Sequence, residues 1–182
     1  VDPLLTSVAS ILEINQPGAW FGRSVSSAGD VNGDGYSDVI VGAPGYDLGE
    51  SNEGAAFVYH GSASGLSVTA DWKVESNTYD ARLGRSVSTA GDVNNDGYSD
   101  VIVGASHYCL NCSIPLTIDE HNGAVYVFFG SEAGLSIEAD WFVESSVEGA
   151  WFGDSVSTAG DVNGDGYSDV IVGAWHYDNV QL

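Results

Sequence analysis

The chain of 182 residues carries 26 acidic and 4 basic side chains, for a formal net charge of −22 at pH 7. This balance argues against a nucleic-acid partner, because phosphate binding needs clustered lysine and arginine. No apolar run approaches the roughly 18 residues of a membrane-spanning helix, so no membrane span is predicted in this segment. The length is sufficient for one sizeable hydrophobic core.

The chain opens with a short segment, residues 1–16, that is predicted to be the end of a preceding repeat unit. Residues 11–15 align with residues 73–77, which close a later predicted strand. A first strand follows at residues 20–26, and its sequence recurs at 83–88 and 151–157. Repetition is therefore the first property of this chain to explain.

A nine-residue acidic loop follows each first strand, at residues 30–38, 92–100 and 161–169. Oxygen-bearing side chains at positions 1, 3, 5 and 9, a glycine at 6 and a main-chain carbonyl at 7 are typical of a loop that surrounds a hard cation. Ca²⁺ is the expected ion because it accepts six to eight oxygens in loose geometry. We expect about one Ca²⁺ per repeat, three in this chain. The predicted ligands are Asp30, Asn32, Asp34, Tyr36, Asp38, Asp92, Asn94, Asp96, Tyr98, Asp100, Asp161, Asn163, Asp165, Tyr167 and Asp169.

The residues after each loop exclude an EF-hand. An EF-hand loop closes with a glutamate at position 12 and leads into a helix. Position 12 here is Val41, Val103 or Val172, and it lies in a short β-branched run that predicts a buried strand. The loop is therefore predicted to be the turn of a β-hairpin, clamped by calcium in a structural role.

Two further strands complete each unit. The third is predicted at residues 55–59 and 124–129, and the fourth at 70–75 and 139–144, with turns rich in glycine and serine between them. A four-stranded unit that repeats every 62 to 69 residues is typical of a β-propeller blade. The predicted fold is all-β, with two complete blades of four antiparallel strands plus a split blade, as part of a larger propeller. The predicted units are 1–16, 17–78, 79–147 and 148–182.

Three sequence elements together resemble the FG-GAP repeats of integrin α-subunit propellers and their bacterial relatives. They are the Phe-Gly pair of the first strand, the acidic loop, and Gly-Ala-Pro after the second strand at residues 42–44. Two departures occur: Leu83 replaces the phenylalanine in the middle repeat, and Ser106 and Trp175 replace the proline. The resemblance implies a propeller of such blades with calcium in the turn between the first and second strands.

All the extra length of the second complete unit lies between its second and third strands, in the loop at 106–122. Long loops on a rigid scaffold are frequent sites of recognition, so this loop is the predicted partner surface. It contains the only cysteines, Cys109 and Cys112, for which a local disulfide is predicted. A redox pair and a zinc site that adds His107 and His121 are the alternatives. The remaining candidates for partner contact are Tyr108, Ile114, Asp119, Glu120 and His121.

The predicted function is a non-enzymatic, calcium-stabilised scaffold for adhesion, protein–protein interaction or cell-surface assembly, as the resemblance implies. Its partners would be a protein or glycan ligand at the cell surface, or copies of itself. An extracellular or cell-surface location is expected because calcium is millimolar there, and because a start at Val without a signal peptide suggests a mature chain or an excised piece. The alternatives are an accessory propeller of an extracellular hydrolase and a carbohydrate-binding propeller.

Overall fold

The computed structural model describes residues 10–109 and 121–177, and within these ranges every regular element is a β-strand. No helix long and apolar enough to cross a membrane occurs in the described part of the chain. The strands are β1 (Ser24–Gly29), β2 (Asp38–Ala43), β3 (Ala55–Tyr59), β4 (Trp72–Glu75), β5 (Ser86–Gly91), β6 (Asp100–Ala105), β7 (Ala124–Phe128), β8 (Trp141–Glu144), β9 (Phe152–Gly160) and β10 (Asp169–Ala174).

The strands form three antiparallel sheets in simple up-and-down order. The first sheet contains β1–β4, the second contains β5–β8, and the third pairs β9 with β10. Neighbours in sequence are neighbours in space, as expected of propeller blades. In each four-stranded sheet the acidic loop and the turn between the third and fourth strands lie at one end. The loop between the second and third strands and the connector to the next sheet lie at the other end.

The core lies between the sheets, where their apolar faces stack. One cluster joins Val58 and Trp72 of the first sheet to Val103 and Phe128 of the second. Ile40 and Ile102, in the second strands of the complete sheets, are both 0% exposed, whereas Ile171 of β10 is 61% exposed. Ile171 is uncovered because β10 pairs only with β9 among the described strands. Each second strand thus becomes fully buried only when a third strand and a neighbouring sheet flank it.

Hydrogen bonds and short bridges fix the spacing between successive sheets. The hydroxyl of Ser24 donates to the carbonyl of Gly84 at 2.8 Å, and Ser86 donates to Gly153 at 2.7 Å. The start of each new sheet also forms an isolated parallel bridge with the sheet before it, at Gly54–Leu83 and at Gly123–Phe152. Neighbouring blades are therefore connected through polar main-chain contacts as well as through apolar packing.

The all-β fold and the four-stranded units predicted from sequence are confirmed. The third strands match closely, and the fourth strands begin two residues later than predicted. Residues 10–16, which were expected to close a preceding strand, form no strand in the structure. A strand requires a hydrogen-bonded neighbour, and no described strand precedes β1. Leu12 and Ile14 nevertheless pack against the apolar cluster around Phe57.

Candidate calcium loops

Each acidic loop is folded tightly around its first aspartate. In the loop between β1 and β2, Asp30 Oδ1 accepts a hydrogen bond from the amide of Asp34 at 3.1 Å, and Oδ2 accepts one from Gly35 at 2.8 Å. Asp34 in turn accepts from the amide of Tyr36 at 2.9 Å. These bonds direct the side chains at positions 1 and 5 toward the centre of the loop. The glycine at position 6 has a φ of 89°, which L side chains rarely adopt.

The asparagine at position 3 completes this arrangement. Asn32 Oδ1 accepts from the amide of Asp34 at 3.0 Å, and its Nδ2 donates to Asp34 Oδ2 at 3.1 Å. The same bond joins Asn94 to Asp96 at 2.9 Å in the second loop. In the third loop it joins Asn163 to Asp165 at 3.0 Å. The three loops therefore share one conformation, as their common sequence predicts.

The aspartate at position 9, a predicted calcium ligand, makes contacts that the sequence did not reveal. Asp38 is fully buried, and its two carboxylate oxygens accept from the amides of Val31 at 2.9 Å and Gly61 at 2.8 Å. Asp100 makes the equivalent bonds in the second sheet, to Val93 at 2.8 Å and Gly130 at 2.9 Å. This carboxylate thus ties the acidic loop to the turn between the third and fourth strands. The recurrence of a glycine at the start of that turn was the available signal.

One carboxylate of the second loop, Asp100, has a pKa above its usual range. Burial raises the pKa of Asp100 to about 6; amide hydrogen bonds from Gly130 and Val93 oppose this shift, and the nearby charges of Asp96 and Asp92 add to it. A positive ion among these carboxylates would relieve their mutual repulsion.

At the first position of the third loop, hydrogen bonds lower the pKa of a carboxylate. The amide of Gly166, with further loop amides, holds the pKa of Asp161 below its usual range. Asp161 is therefore ionised at neutral pH, which is the state that a hard cation requires.

Neighbouring loops are in contact with each other. The amide of Ser99, at position 8 of the second loop, donates to the carbonyl of Asp30 at 3.0 Å, and the amide of Asp30 donates to Ser99 Oγ at 3.2 Å. Ser168 of the third loop donates to the carbonyl of Asp92 at 2.9 Å. The first residue of each loop is thus held by the next loop along the chain.

The donor chemistry of the loops fits calcium. Every predicted side-chain ligand offers oxygen, and the inward turn of positions 1 and 5 directs carboxylates toward the centre of the loop. In the described conformation these oxygens are engaged by loop amides. Among the described residues, a group of three His, Cys, Asp or Glu donors within 4.8 Å occurs instead at Asp80, His107 and His121. The loop carboxylates would therefore have to draw closer together around an ion, with Asn32, Asn94, Asn163 and the carbonyls of Tyr36, Tyr98 and Tyr167 completing the sets.

The predicted partner loop is described only at its two ends. Tyr108 and His121 are buried at 7% and 6% exposure, and Tyr108 packs edge-on against Phe142 with ring centroids 5.5 Å apart. A partner could reach these two side chains only if they were uncovered. Ile114, Asp119 and Glu120 lie outside the described residues. Recognition by this loop stays a prediction.

The predicted disulfide involves Cys109, which is the last residue described before the gap at 110–120. Cys109 is disulfide-bonded in the structure, while Cys112 lies outside the described residues. The pairing of these two cysteines with each other therefore stays a prediction.

Stacked four-stranded sheets, each with an acidic loop at the same turn, define the chain as a run of β-propeller blades. A family model described as the FG-GAP repeat matches residues 21–59, 83–128 and 152–179, which is more than half of the chain. The chain therefore belongs to the FG-GAP repeat family.

Integrin α chains are similar to this chain over most of its length. Integrin alpha-4 of Xenopus laevis is 35% identical over 169 residues, covering 91% of this chain and 15% of that protein. Integrin alpha-PS5 of Drosophila melanogaster is 37% identical over 172 residues, covering 87% of this chain and 15% of that protein. The chain thus spans only about 15% of the length of these relatives.

Proposed function

We propose that this chain is a calcium-stabilised, non-enzymatic β-propeller segment of an extracellular or cell-surface protein that supports adhesion or assembly. One observation carries the proposal: three loops with the same inward-turned oxygen donors lie at the same turn of three successive blades. The similarity to integrin α chains adds support, because the resemblance to integrin propellers implies an adhesion role. The partner would be a protein, a glycan or another copy of the chain.

Calcium would act on stability in this proposal. Each ion would neutralise carboxylates that otherwise repel one another across a loop of nine residues, in a chain with a net charge of −22. Because an ion that binds only the folded state stabilises it by mass action, a hundredfold excess over the dissociation constant contributes about 2.7 kcal/mol per site. Through the hydrogen bonds between Asp30 and Ser99, an ion in the first loop would also stabilise the loop of the adjacent blade.

The recognition surface in this proposal lies at the end of the blades opposite the calcium loops. The loop between β6 and β7 emerges there, and it is the longest connection between adjacent strands of one sheet. A rigid sheet that presents a long loop is a common arrangement for binding, since the sheet holds the loop ends in place while its sequence remains free to vary. The buried ends at Tyr108 and His121 would anchor such a loop.

The proposal can be tested with the immobilised chain. A panel of purified extracellular-matrix glycoproteins and a glycan array are applied in millimolar calcium and again in chelator. We expect at least one matrix glycoprotein to be retained in calcium and released by chelator. The matched control replaces Asp34, Asp96 and Asp165 with asparagine. These changes weaken calcium binding by the loops without altering the opposite end of the blades.

The possible outcomes separate the candidate functions. Retention on glycans alone would favour the carbohydrate-binding alternative, and a dimer in native mass measurement would favour self-assembly. If the chain retained neither protein nor glycan and stayed monomeric in calcium, the adhesion role would be contradicted. Chelator-insensitive retention would support adhesion and argue against its dependence on calcium.

A further inference from the structure

A second cluster of potential metal ligands lies at the opposite end of the blades from the calcium loops. Asp80 is in the connector between β4 and β5, His107 follows β6, and His121 precedes β7. The three residues are far apart in sequence, and the stacking of the first two sheets brings them together. None of them belongs to an acidic loop.

The imidazoles of His107 and His121 converge on a single carboxylate oxygen of Asp80. Asp80 Oδ2 lies 3.5 Å from His107 Nδ1 and 3.7 Å from His121 Nε2. The three donor atoms all lie within 4.8 Å of one another. In a tetrahedral zinc site with bonds of about 2.0–2.1 Å, ligand atoms are separated by about 3.3–3.4 Å. The two distances from Asp80 Oδ2 are therefore close to an edge of such a tetrahedron, and the shorter one is also the length of a weak hydrogen bond.

The surroundings of these side chains are closely packed. His107 and His121 are 5% and 6% exposed, and their rings stack with centroids 4.0 Å apart and a tilt of 27°. Trp151 packs against both rings, at 4.7 Å and 5.7 Å. Arg82 Nε donates to Asp80 Oδ1 at 3.0 Å, so the other carboxylate oxygen is the one directed at the imidazoles, and a bond of this kind orients a metal ligand. Because each imidazole nitrogen donates its lone pair in the plane of the ring, one ring would rotate out of the stack when both bind one ion.

Comparison with the neighbouring repeats shows that this cluster is particular to one junction. His176 follows β10 as His107 follows β6, but the position equivalent to Asp80 is Gly149. His176 Nδ1 lies 2.9 Å from the carbonyl of Gly149, so in that repeat the histidine pairs with the main chain. The position equivalent to His121 in the first repeat is Asn52. Packing of a blade edge thus does not require the aspartate or the second histidine.

We propose that Asp80, His107 and His121 bind one divalent transition-metal ion, with Zn²⁺ as the expected occupant. Two imidazole nitrogens and one carboxylate oxygen suit zinc, whereas calcium prefers oxygen ligands alone. The ion would join the connector that leaves the first sheet to both ends of the loop between β6 and β7. This ligand set keeps the histidines of the zinc alternative raised by the sequence and replaces its cysteines, since Cys109 is disulfide-bonded.

The test uses the 182-residue chain without a polyhistidine tag, in saturating calcium and with its disulfide intact. Zn²⁺ is titrated in competition with a chromophoric chelator, for the wild type and for His107→Asn and His121→Asn. The matched control is His176→Asn, which alters the equivalent histidine of the next repeat. We expect one zinc ion per wild-type chain. Each cluster variant should weaken binding by at least about tenfold, the loss seen even for outer-shell partners, and His176→Asn should leave binding unchanged.

Two results would overturn the proposal: no zinc binding by the wild type, or equal binding by the wild type and both cluster variants. A loss in His176→Asn as large as in the cluster variants would also contradict it, because the effect would then be general. Cobalt absorption of the wild type guards against variants that fail to fold. Ligand-field bands of a nitrogen- and oxygen-bound ion without a thiolate charge-transfer band support the site, and a thiolate band contradicts it.

Discussion

Gly42 and Gly84 meet backbone to backbone across the interface between the first and second sheets. A Cβ atom on Gly42 would lie 2.0 Å from the carbonyl oxygen of Gly84. Gly104 and Gly153 repeat this contact at the next interface, also at 2.0 Å. The Phe-Gly and Gly-Ala elements of the repeat are far apart in sequence, yet they are the two halves of one contact between blades.

Replacing Gly42 with alanine should therefore destabilise the chain. The new methyl group would collide with main chain, which cannot move aside as a flexible side chain can, so we expect a loss of about 2–4 kcal/mol in the free energy of unfolding. Urea denaturation monitored by tryptophan fluorescence measures the loss. Gly49→Ala is the matched control, because a Cβ there meets nothing within 4 Å. Equal midpoints for the two variants would contradict the close contact.

Trp72 and Trp141 occupy the same position in successive blades but differ in burial. Trp72 is 7% exposed, packs on Phe128 with centroids 4.9 Å apart, and donates its indole N–H to the carbonyl of Ser136 at 2.8 Å. Trp141 is 46% exposed. Trp72→Ala should cost about 3–5 kcal/mol, the range for a buried aromatic residue, and Trp141→Ala clearly less. Thermal and urea unfolding of both variants would check this, and a larger loss for Trp141→Ala would refute the assigned packing.

The role of the ninth loop residue can be separated from calcium binding. Asp38→Ala leaves the amides of Val31 and Gly61 without their carboxylate partner, and an unsatisfied buried amide costs about 1–3 kcal/mol. Asp169→Ala removes one amide contact, to the exposed Val162, where water can substitute. In calcium-free buffer we expect Asp38→Ala to lower the free energy of unfolding by at least about 2 kcal/mol more than Asp169→Ala does. Similar losses would mean that the bonds from Asp38 to the amides of Val31 and Gly61 do not stabilise the fold.

Much of the fold could be predicted because the same strand and turn patterns recur in each repeat. The run Val-Ile-Val after Asp38 predicts a buried strand, and β2 is buried along nearly its whole length. The third strand was predicted at residues 55–59 and is observed there. Periodicity of this kind depends only on near neighbours in sequence, so it can be interpreted without knowing the tertiary structure.

Contacts between distant segments could not be predicted in the same way. The bond from Gly61 to Asp38 and the convergence of Asp80 with His107 depend on how sheets stack, which a single sequence does not specify. Exposure differed for the same reason: Trp141 has the sequence context of Trp72, yet no described blade covers it. The acidic loops lie between these cases, because their conformation is local whereas the contact of Asp38 with the turn at Gly61 is not.

In the proposed function, the nine-residue loops bind calcium and thereby stabilise the blades. The most direct measurement is calorimetric titration of the chelator-treated chain with Ca²⁺, compared with the variant in which Asp34, Asp96 and Asp165 are replaced by asparagine. We predict about three calcium ions per wild-type chain, one for each loop of this type, and loss of that binding in the variant. A wild-type chain that takes up no calcium, or a variant that binds it equally well, would contradict the account.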